Sequence, residues 1–305
     1  MRAESQSTGP DGAAGPKVVA LGGGYGLSTT LRAVRHYAGS ITGVVSVADD
    51  GGSSGRLRRT FGIPAPGDLR RCLVALAADG NPWADALEHR FTADELAGHP
   101  LGNILIAGLT ETTGDFGAAI DLLLAMLGAT GRVIPATREL VHLKATYPGG
   151  EVEGEASIGR TAGLTGVSLV PFDPPAHPDA LAAIAVADQI VFGPGSLFTS
   201  VLAVLAVPEL RQAVAAATGQ RVYVANLAEQ HPETTGYDVA AHVHALRSHG
   251  VVIDIVLHDP RTLAVGDTAI VAADLVAADL VDDTGRFHDP FKLGVALRGL
   301  LPVAD

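Results

Sequence analysis

Two adjacent carboxylates, Asp49 and Asp50, close an apolar run in VADDGGSSGRLRRTFGIPAPGDLRRCL, residues 47–73. At a strand's end such a pair repels itself unless a cation, hydrogen-bond donors or solvent compensates. Hard divalent cations take carboxylate oxygens, and Mg²⁺ commonly bridges them to phosphates, so Asp49 and Asp50 are candidate Mg²⁺ ligands. An acid at the end of a second strand also suits ribose hydroxyls. Asp68 follows Gly67 where a helix should open, and it either joins the pair or serves as that helix's N-cap. Residues 56–71 carry Arg56, Arg58, Arg59, Arg70 and Arg71 against Asp68 alone, which marks out a small anion site.

Two glycine loops offer the matching chemistry. LGGGYGLST (21–29) departs from the G-x-G-x-x-G dinucleotide pattern, because Leu27 and Thr29 stand where the third glycine should be. Its physics survives that departure. Gly22, Gly23, Gly24 and Gly26 let a diphosphate approach the backbone, and the helix start behind them favours an anion. FGPGSLFTS (192–200) also joins a strand to a helix. Ser196 is no nucleophile elbow, since Pro194 and Phe198 occupy the flanking glycine positions. Gly193, Gly195 and Ser196 instead form a second candidate anion-contacting loop. Two loops at the carboxyl ends of parallel strands face one crevice.

The elements that must hold these loops alternate. Strands are expected at 17–21, 41–48, 188–192, 221–228 and 251–259. Helices are expected at 28–38, from Asp68 onward, in three segments over 83–128, at 179–187, 196–206, 208–218 and 236–250, and at the C-terminal end. LVHLKATY and EVEGEASI flank Pro148-Gly149-Gly150 and predict a hairpin. The pattern specifies a Rossmann-like α/β fold: a mostly parallel sheet with helices on both faces, plus a small β-hairpin insertion. Residues 1–16 are expected as a disordered tail, and 17–305 as a single nucleotide-binding α/β domain.

Composition narrows the function classes. Hydrophobic residues make up 47% and aromatics 5%, so the core is built from Ala, Val, Leu and Ile. A net charge of −12 argues against a general nucleic-acid binder. No apolar run approaches the ~20 residues of a membrane helix, so no membrane insertion is expected. Residues 1–16 lack the apolar region of a secretory signal, and the lone Cys72 cannot form an internal disulfide. The expected setting is the cytoplasm, with the oligomeric state open and a homo-oligomer included. His242, His244 and His249 lack a metal-ligand pattern and are expected at the surface or partly packed. Cys72 is expected in the core.

Six segments in order, LGGGYGLSTTLR, VADDGGSSGRLR, PGDLRRCLVAL, HPLGNILIAGL, FGPGSLFTSV and FHDP, resemble the gluconeogenesis factor (YvcK-type) family, within the 2-phospho-L-lactate transferase (CofD-type) superfamily. The resemblance covers nearly all of residues 17–298. It implies a core that binds a nucleotide or nucleotide sugar, with UDP-N-acetylglucosamine (UDP-GlcNAc) as the ligand type. It also implies a role in carbon metabolism, cell shape and cell-wall synthesis without established catalysis. For the transferase relatives it implies a nucleotide diphospho-lactate donor, a deazaflavin acceptor and a divalent metal. Carried onto this chain, its ligand-binding positions are Gly22, Gly23, Gly24, Gly26, Asp49, Asp50, Gly51, Gly52, Ser53, Gly67, Asp68, Asn103, Gly193, Gly195, Ser196 and Arg286. Tyr25 stands where threonine is usual. Phe287 separates Arg286 from the final His-Asp-Pro, and the family's tyrosine upstream of that arginine has no counterpart between Asp259 and Arg286. The expected function is a cytoplasmic nucleotide-sugar-binding regulator. The alternative is a transferase moving a phospho-lactyl group from a nucleotide diphosphate donor.

Overall fold

A computed structural model describes residues 15–302. The expected tail falls outside them except for Gly15 and Pro16, and the Pro16 carbonyl accepts from the Gly39 and Ser40 N–H groups. Ten strands run in chain order: β1 (Lys17–Gly22), β2 (Ser40–Val45), β3 (Arg132–Pro135), β4 (His142–Tyr147), β5 (Gly150–Glu153), β6 (Gly166–Val170), β7 (Gln189–Phe192), β8 (Gln220–Val224), β9 (Ile255–His258) and β10 (Asp274–Ala277). Seven of them form one sheet in the order β10-β9-β8-β7-β1-β2-β3. Every pairing in it is parallel. Its central strands are uninterrupted apolar runs because both faces are covered; Val18, Val19, Ala20 and Leu21 are all buried.

The helices are α1 (Gly24–Val34), α2 (Gly52–Phe61), α3 (Pro66–Leu76), α4 (Pro82–Glu88), α5 (Leu101–Thr113), α6 (Phe116–Met126), α7 (Glu155–Ile158), α8 (Pro178–Ala185), α9 (Leu202–Leu205), α10 (Pro208–Ala216), α11 (Val239–Ser248), α12 (Thr268–Val271) and α13 (Pro290–Gly299). A π-helical turn, Leu197–Val201, leads into α9. α1 packs against α3 and α13, while α8 and α9 lie against β1, β2, β3 and β6. Local chemistry sets many starts. Proline opens α3, α4, α8, α10 and α13, where its missing N–H leaves no donor unpaired. The His-Asp-Pro motif does this job for α13, since Asp289 accepts from the Lys292 N–H and Pro290 follows it. Among the described residues no single helix is long and apolar enough to cross a membrane.

The structure departs from the sequence expectations at definite places. Residues 52–61, assigned to no element from the sequence, form α2. The strand expected through Ile158 ends at Glu153, because Gly154 adopts φ 88° and turns the chain into α7. The hairpin gains β6 and becomes a three-stranded antiparallel sheet, β5-β4-β6. The edge strands β3 and β10 were not expected from the sequence. Asp68 is no N-cap: Ala65 holds that place and Asp68 lies in the first turn of α3. His242 is fully buried rather than at the surface, its Nδ1 2.8 Å from the Asp238 carbonyl oxygen. His244 is exposed, His249 half-buried and Cys72 buried, as expected.

The chain leaves β1 toward β2 on one side and leaves β7 toward β8 on the other. The switch point therefore lies between β1 and β7, where α/β proteins place their ligand crevice. Both glycine loops emerge there and touch. A Cβ on Gly26 would fall 1.6 Å from the Pro194 carbonyl oxygen, so backbone must move to admit one. Gly26→Ala is expected to cost at least about 2 kcal/mol of stability. A thermal melt indistinguishable from wild type would show that the loops separate more easily than this contact implies.

Candidate functional site

The crevice at the switch point begins with the loop after β1. α1 starts at Gly24 with Gly23 as its N-cap and no side chain capping it. The cavity of about 330 Å³ in front of it is lined by Gly23, Gly24, Tyr25, Gly26, Asp49, Asp68, Arg71, Glu155, Gly195, Ser196, Ser200 and Gln230. Tyr25 is 71% exposed at its mouth. The Arg71 guanidinium lies 4.4 Å from the Tyr25 ring centroid. Arg71 also donates from Nη1 to Asp68 at 2.7 Å.

The loop after β7 is braced from the next strand. Asn226 accepts from the Gly195 N–H and donates to the Gly195 carbonyl, both at 2.8 Å. Buried Glu233 accepts from the Phe198 and Thr199 N–H groups at 2.7 and 3.3 Å, and from the Thr199 hydroxyl. Of the residues the sequence suggested for an anion, Gly195 thus spends its amide on Asn226, and Gly193 donates its own to the Leu21 carbonyl at 3.1 Å. The second loop therefore shapes the cavity wall, and the open helix start belongs to α1.

Asp49, Asp50 and Glu155 bring one oxygen each within 4.8 Å of the others. Asp49 Oδ1 accepts from the Gly51 N–H at 2.8 Å, and Asp50 Oδ1 from the Ala156 N–H at 2.9 Å. Burial, reinforced by Asp49, Asp68 and Asp50, pushes the Glu155 carboxyl up to about 8. Burial likewise raises Asp68; Asp49 adds to the rise and Arg71 opposes it. The set consists of hard oxygen donors that repel one another without positive charge. It fits a small divalent cation such as Mg²⁺, for which Asp49, Asp50 and Glu155 would be the ligands.

A second cavity of about 190 Å³ adjoins the first through Asp49 and Arg71. Gly51, Gly52, Ser53, Ser54, Gly67, Arg70, Arg90 and Asn103 complete its lining. The predicted residues thus divide. Gly23, Gly24, Gly26, Asp49, Asp68, Gly195 and Ser196 face the first cavity; Asp49, Gly51, Gly52, Ser53, Gly67 and Asn103 face the second. Gly22 ends β1 and Gly193 follows β7, behind the linings. Asp50 turns aside toward Ala156 and a pocket with Arg58, Arg59, Leu140 and His142. Arg286 is exposed on the turn between Asp282 and Phe287 and lines neither cavity. That turn walls a separate cavity with Arg261 and Lys292.

Glu155 was not foreseen, because it comes from the inserted sheet; the Ala156 that Asp50 binds lies 106 residues away in the chain. Asn226 and Gln230 follow β8 of the parallel sheet, and Asn226 lies 31 residues from the Gly195 it braces, so no local pattern marked them. Arg71 was visible in the arginine cluster, but nothing local showed which arginine would turn inward.

The family model described as "2-phospho-L-lactate transferase CofD" matches residues 18–284. The chain is 41% identical over 308 residues to the Mycobacterium leprae "Putative gluconeogenesis factor", covering 93% of this chain and 86% of that protein. It is 42% identical over 238 residues to the Bacillus subtilis "Gluconeogenesis factor", covering 77% and 75%. A crystal structure of a Bacillus halodurans protein, titled as a member of the upf0052 family, superposes with a TM-score of 0.88 at 35% identity. It covers 94% of this chain and all of that one.

Glu155 sets a pH test. Its folded pKa is raised, so the unfolded chain ionises first and folding stability falls as pH climbs from about 4.5 toward 8. Glu155→Gln is expected to raise the Tm of the metal-free protein at pH 8 by roughly 2–4 °C, the shift that about 1 kcal/mol produces. It should also weaken Mg²⁺ binding. Calorimetry of wild type at pH 6.5 in buffers of different ionisation enthalpy should show close to one proton released per Mg²⁺ bound. No proton release would mean that Glu155 is already ionised or is not a ligand.

Proposed function

The chain belongs to the CofD family and to its gluconeogenesis factors, and on that premise we propose that it binds a nucleotide sugar of the UDP-GlcNAc type as a cytoplasmic regulator. The regulated processes proposed are carbon metabolism, cell shape and cell-wall synthesis, as the resemblance implies. The observation that carries the binding reading is the crevice at the β1/β7 switch point, where the open start of α1 meets the brace of the second loop. Backbone N–H groups at that start suit a diphosphate. Arg71 stands beside it as a counter-charge, and the exposed Tyr25 ring offers a face on which a flat base can stack. A divalent cation bound by Asp49, Asp50 and Glu155 would supply the positive charge that lets carboxylates and phosphates share one crevice. Asp49 and Asp68 then reach ligand hydroxyls or the cation rather than phosphate oxygen.

One observation favours the transferase alternative. Asp49 lies between two cavities, which suits a nucleotide diphosphate donor on one side and an acceptor on the other.

Calorimetry with UDP-GlcNAc is expected to show saturable binding that tightens with Mg²⁺. No heat and no thermal shift at millimolar ligand would sink the nucleotide-sugar reading. Asp50→Asn keeps an oxygen for the Ala156 N–H and removes one negative charge. It should leave the ligand-free Tm unchanged or slightly raised while weakening binding or ending its Mg²⁺ dependence. A melt several degrees lower with normal binding would assign Asp50 to folding alone. Under the transferase reading the same variant abolishes turnover of a diphospho-lactate donor with a deazaflavin acceptor. Arg286→Ala extends the mapping. A loss of about tenfold or more, as for a charge-assisted contact, would carry the ligand footprint to the turn before α13; unchanged affinity confines it to the crevice.

A further inference from the structure

We infer that a cavity at the edge of the parallel sheet, walled by β3, α6 and the start of α8, binds a small zwitterion of the α-amino acid class, with Arg138 and the His177 ring holding its carboxylate and Asp121 its ammonium. The cavity measures about 200 Å³ and shares no lining residue with the two cavities of the crevice. Its occupancy is therefore independent of the nucleotide-sugar reading. β3 is the last strand of the sheet, and α6 and α8 both pack against it. Buried Ile120, Val133 and Ile134 supply the apolar part of the lining.

The observation that points to a ligand is His177. It is the N-cap of α8 and only 5% exposed. Its backbone N–H donates to the Ala136 carbonyl at 3.0 Å, which fixes it against the segment that follows β3. Its Nδ1 accepts from the Asp179 N–H at 3.2 Å. Burial and the nearby Arg138 hold the imidazole pKa down, so the ring is neutral and its one proton sits on Nε2. Among the described residues that N–H has no acceptor and is not sealed in the protein; the ring lines the cavity. Serine, aspartate or asparagine would cap the helix as well or better. What histidine adds is a donor on its far side, where the ring borders the cavity.

The charges around the cavity have two origins. Arg138 lines it with no ion-pair partner among the described residues. Arg132 and Asp179 pair with one another at 2.6 Å and largely cancel. The donors thus come from β3, the segment after it and the start of α8. The remaining acids come from α6 and its cap: Asp121, also without an ion-pair partner, and Asp115, whose Oδ1 is taken by the Ala118 N–H at 2.7 Å. Carboxylates outnumber guanidinium groups in this lining, so a plain anion meets net negative charge. A plain cation leaves Arg138 and the His177 donor unanswered. A molecule with a carboxylate at one end and an ammonium at the other answers both, through charge-assisted hydrogen bonds. The volume restricts it to small molecules, below the drug-sized ligands that fill cavities of about 300 Å³ or more.

The test offers the full chain each standard L-α-amino acid in turn, at constant pH and ionic strength, followed by thermal shift and calorimetry. At least one should bind saturably at a single site. The matching amine and the matching carboxylic acid, each lacking one charged group, should bind about tenfold more weakly or worse. Arg138→Gln removes an exposed cation and should weaken the amino acid about tenfold. His177→Asn keeps a cap for α8 and removes the Nε2 donor, so it should weaken binding about threefold or more with the ligand-free Tm little changed. Arg298→Gln, on the exposed side of α13, should leave the affinity unchanged. No saturable binding by any amino acid overturns the site. An acid or amine that binds as tightly as the amino acid overturns it too, since a plain ion would then suffice. Wild-type affinity in either Arg138→Gln or His177→Asn, or equal losses in Arg138→Gln and Arg298→Gln, puts the ligand elsewhere and overturns it as well.

Discussion

The hydrogen-bonded register of β1 against β7 is the constraint on which the rest depends. Pairing Leu21 with Phe192 sets two strand ends level, so the two glycine loops leave the sheet side by side. Contact between Gly26 and the Pro194 carbonyl then holds the two loops against one another beside the start of α1. Shift this register by one residue and every side chain of the strand changes face, and neither loop would meet the other. The second loop is held by Asn226 and Glu233, whose bonds to its amides make it a rigid wall.

Charge is organised around that wall by opposing requirements. Asp49, Asp50, Asp68 and Glu155 crowd together, and burial raises Asp68 and Glu155 because their ionised forms lose water without gaining enough counter-charge. Arg71 relieves Asp68 directly. Arg58, although in the same segment, is committed to the Asp49 and Val141 carbonyls and supports the loop instead. Such a cluster costs folding free energy, and even about 1 kcal/mol is a sizeable share of a domain's small net stability. Clusters of perturbed acids lined by open helix starts are more typical of ligand sites than of structural ones.

The inserted antiparallel sheet contributes more than bulk. Its strand β5 ends at Glu153, and the positive φ of the next residue, Gly154, directs Glu155 back toward the acids. A Cβ there would fall 2.2 Å from Asp50 Oδ2, so this turn and the acidic pair are shaped to one another. Asp50 closes the contact by accepting from the Ala156 N–H. The insertion thereby connects the parallel sheet's second strand end to a group that no local pattern could have supplied.

Much of this protein was legible in its residues because the deciding interactions are local. Uncharged β-branched runs specified the buried parallel strands, glycines after them marked the loops, and prolines and acids at helix starts supplied their own caps. The Asp49-Asp50 pair declared itself because adjacent charges are costly wherever they stand. What the tertiary structure decided rests on groups distant in sequence. It placed Glu155 beside Asp49, gave the start of the π-helical turn to Glu233, turned Asp50 aside and divided the expected site into two cavities. It also put Arg286 on an exposed turn away from both. Helix α2 escaped the sequence reading because glycine and serine are weak helix formers, and only packing against α3 and α5 makes that segment helical. Propensity and capping act over a few residues, whereas burial and charge proximity depend on which strand ends the sheet order makes neighbours.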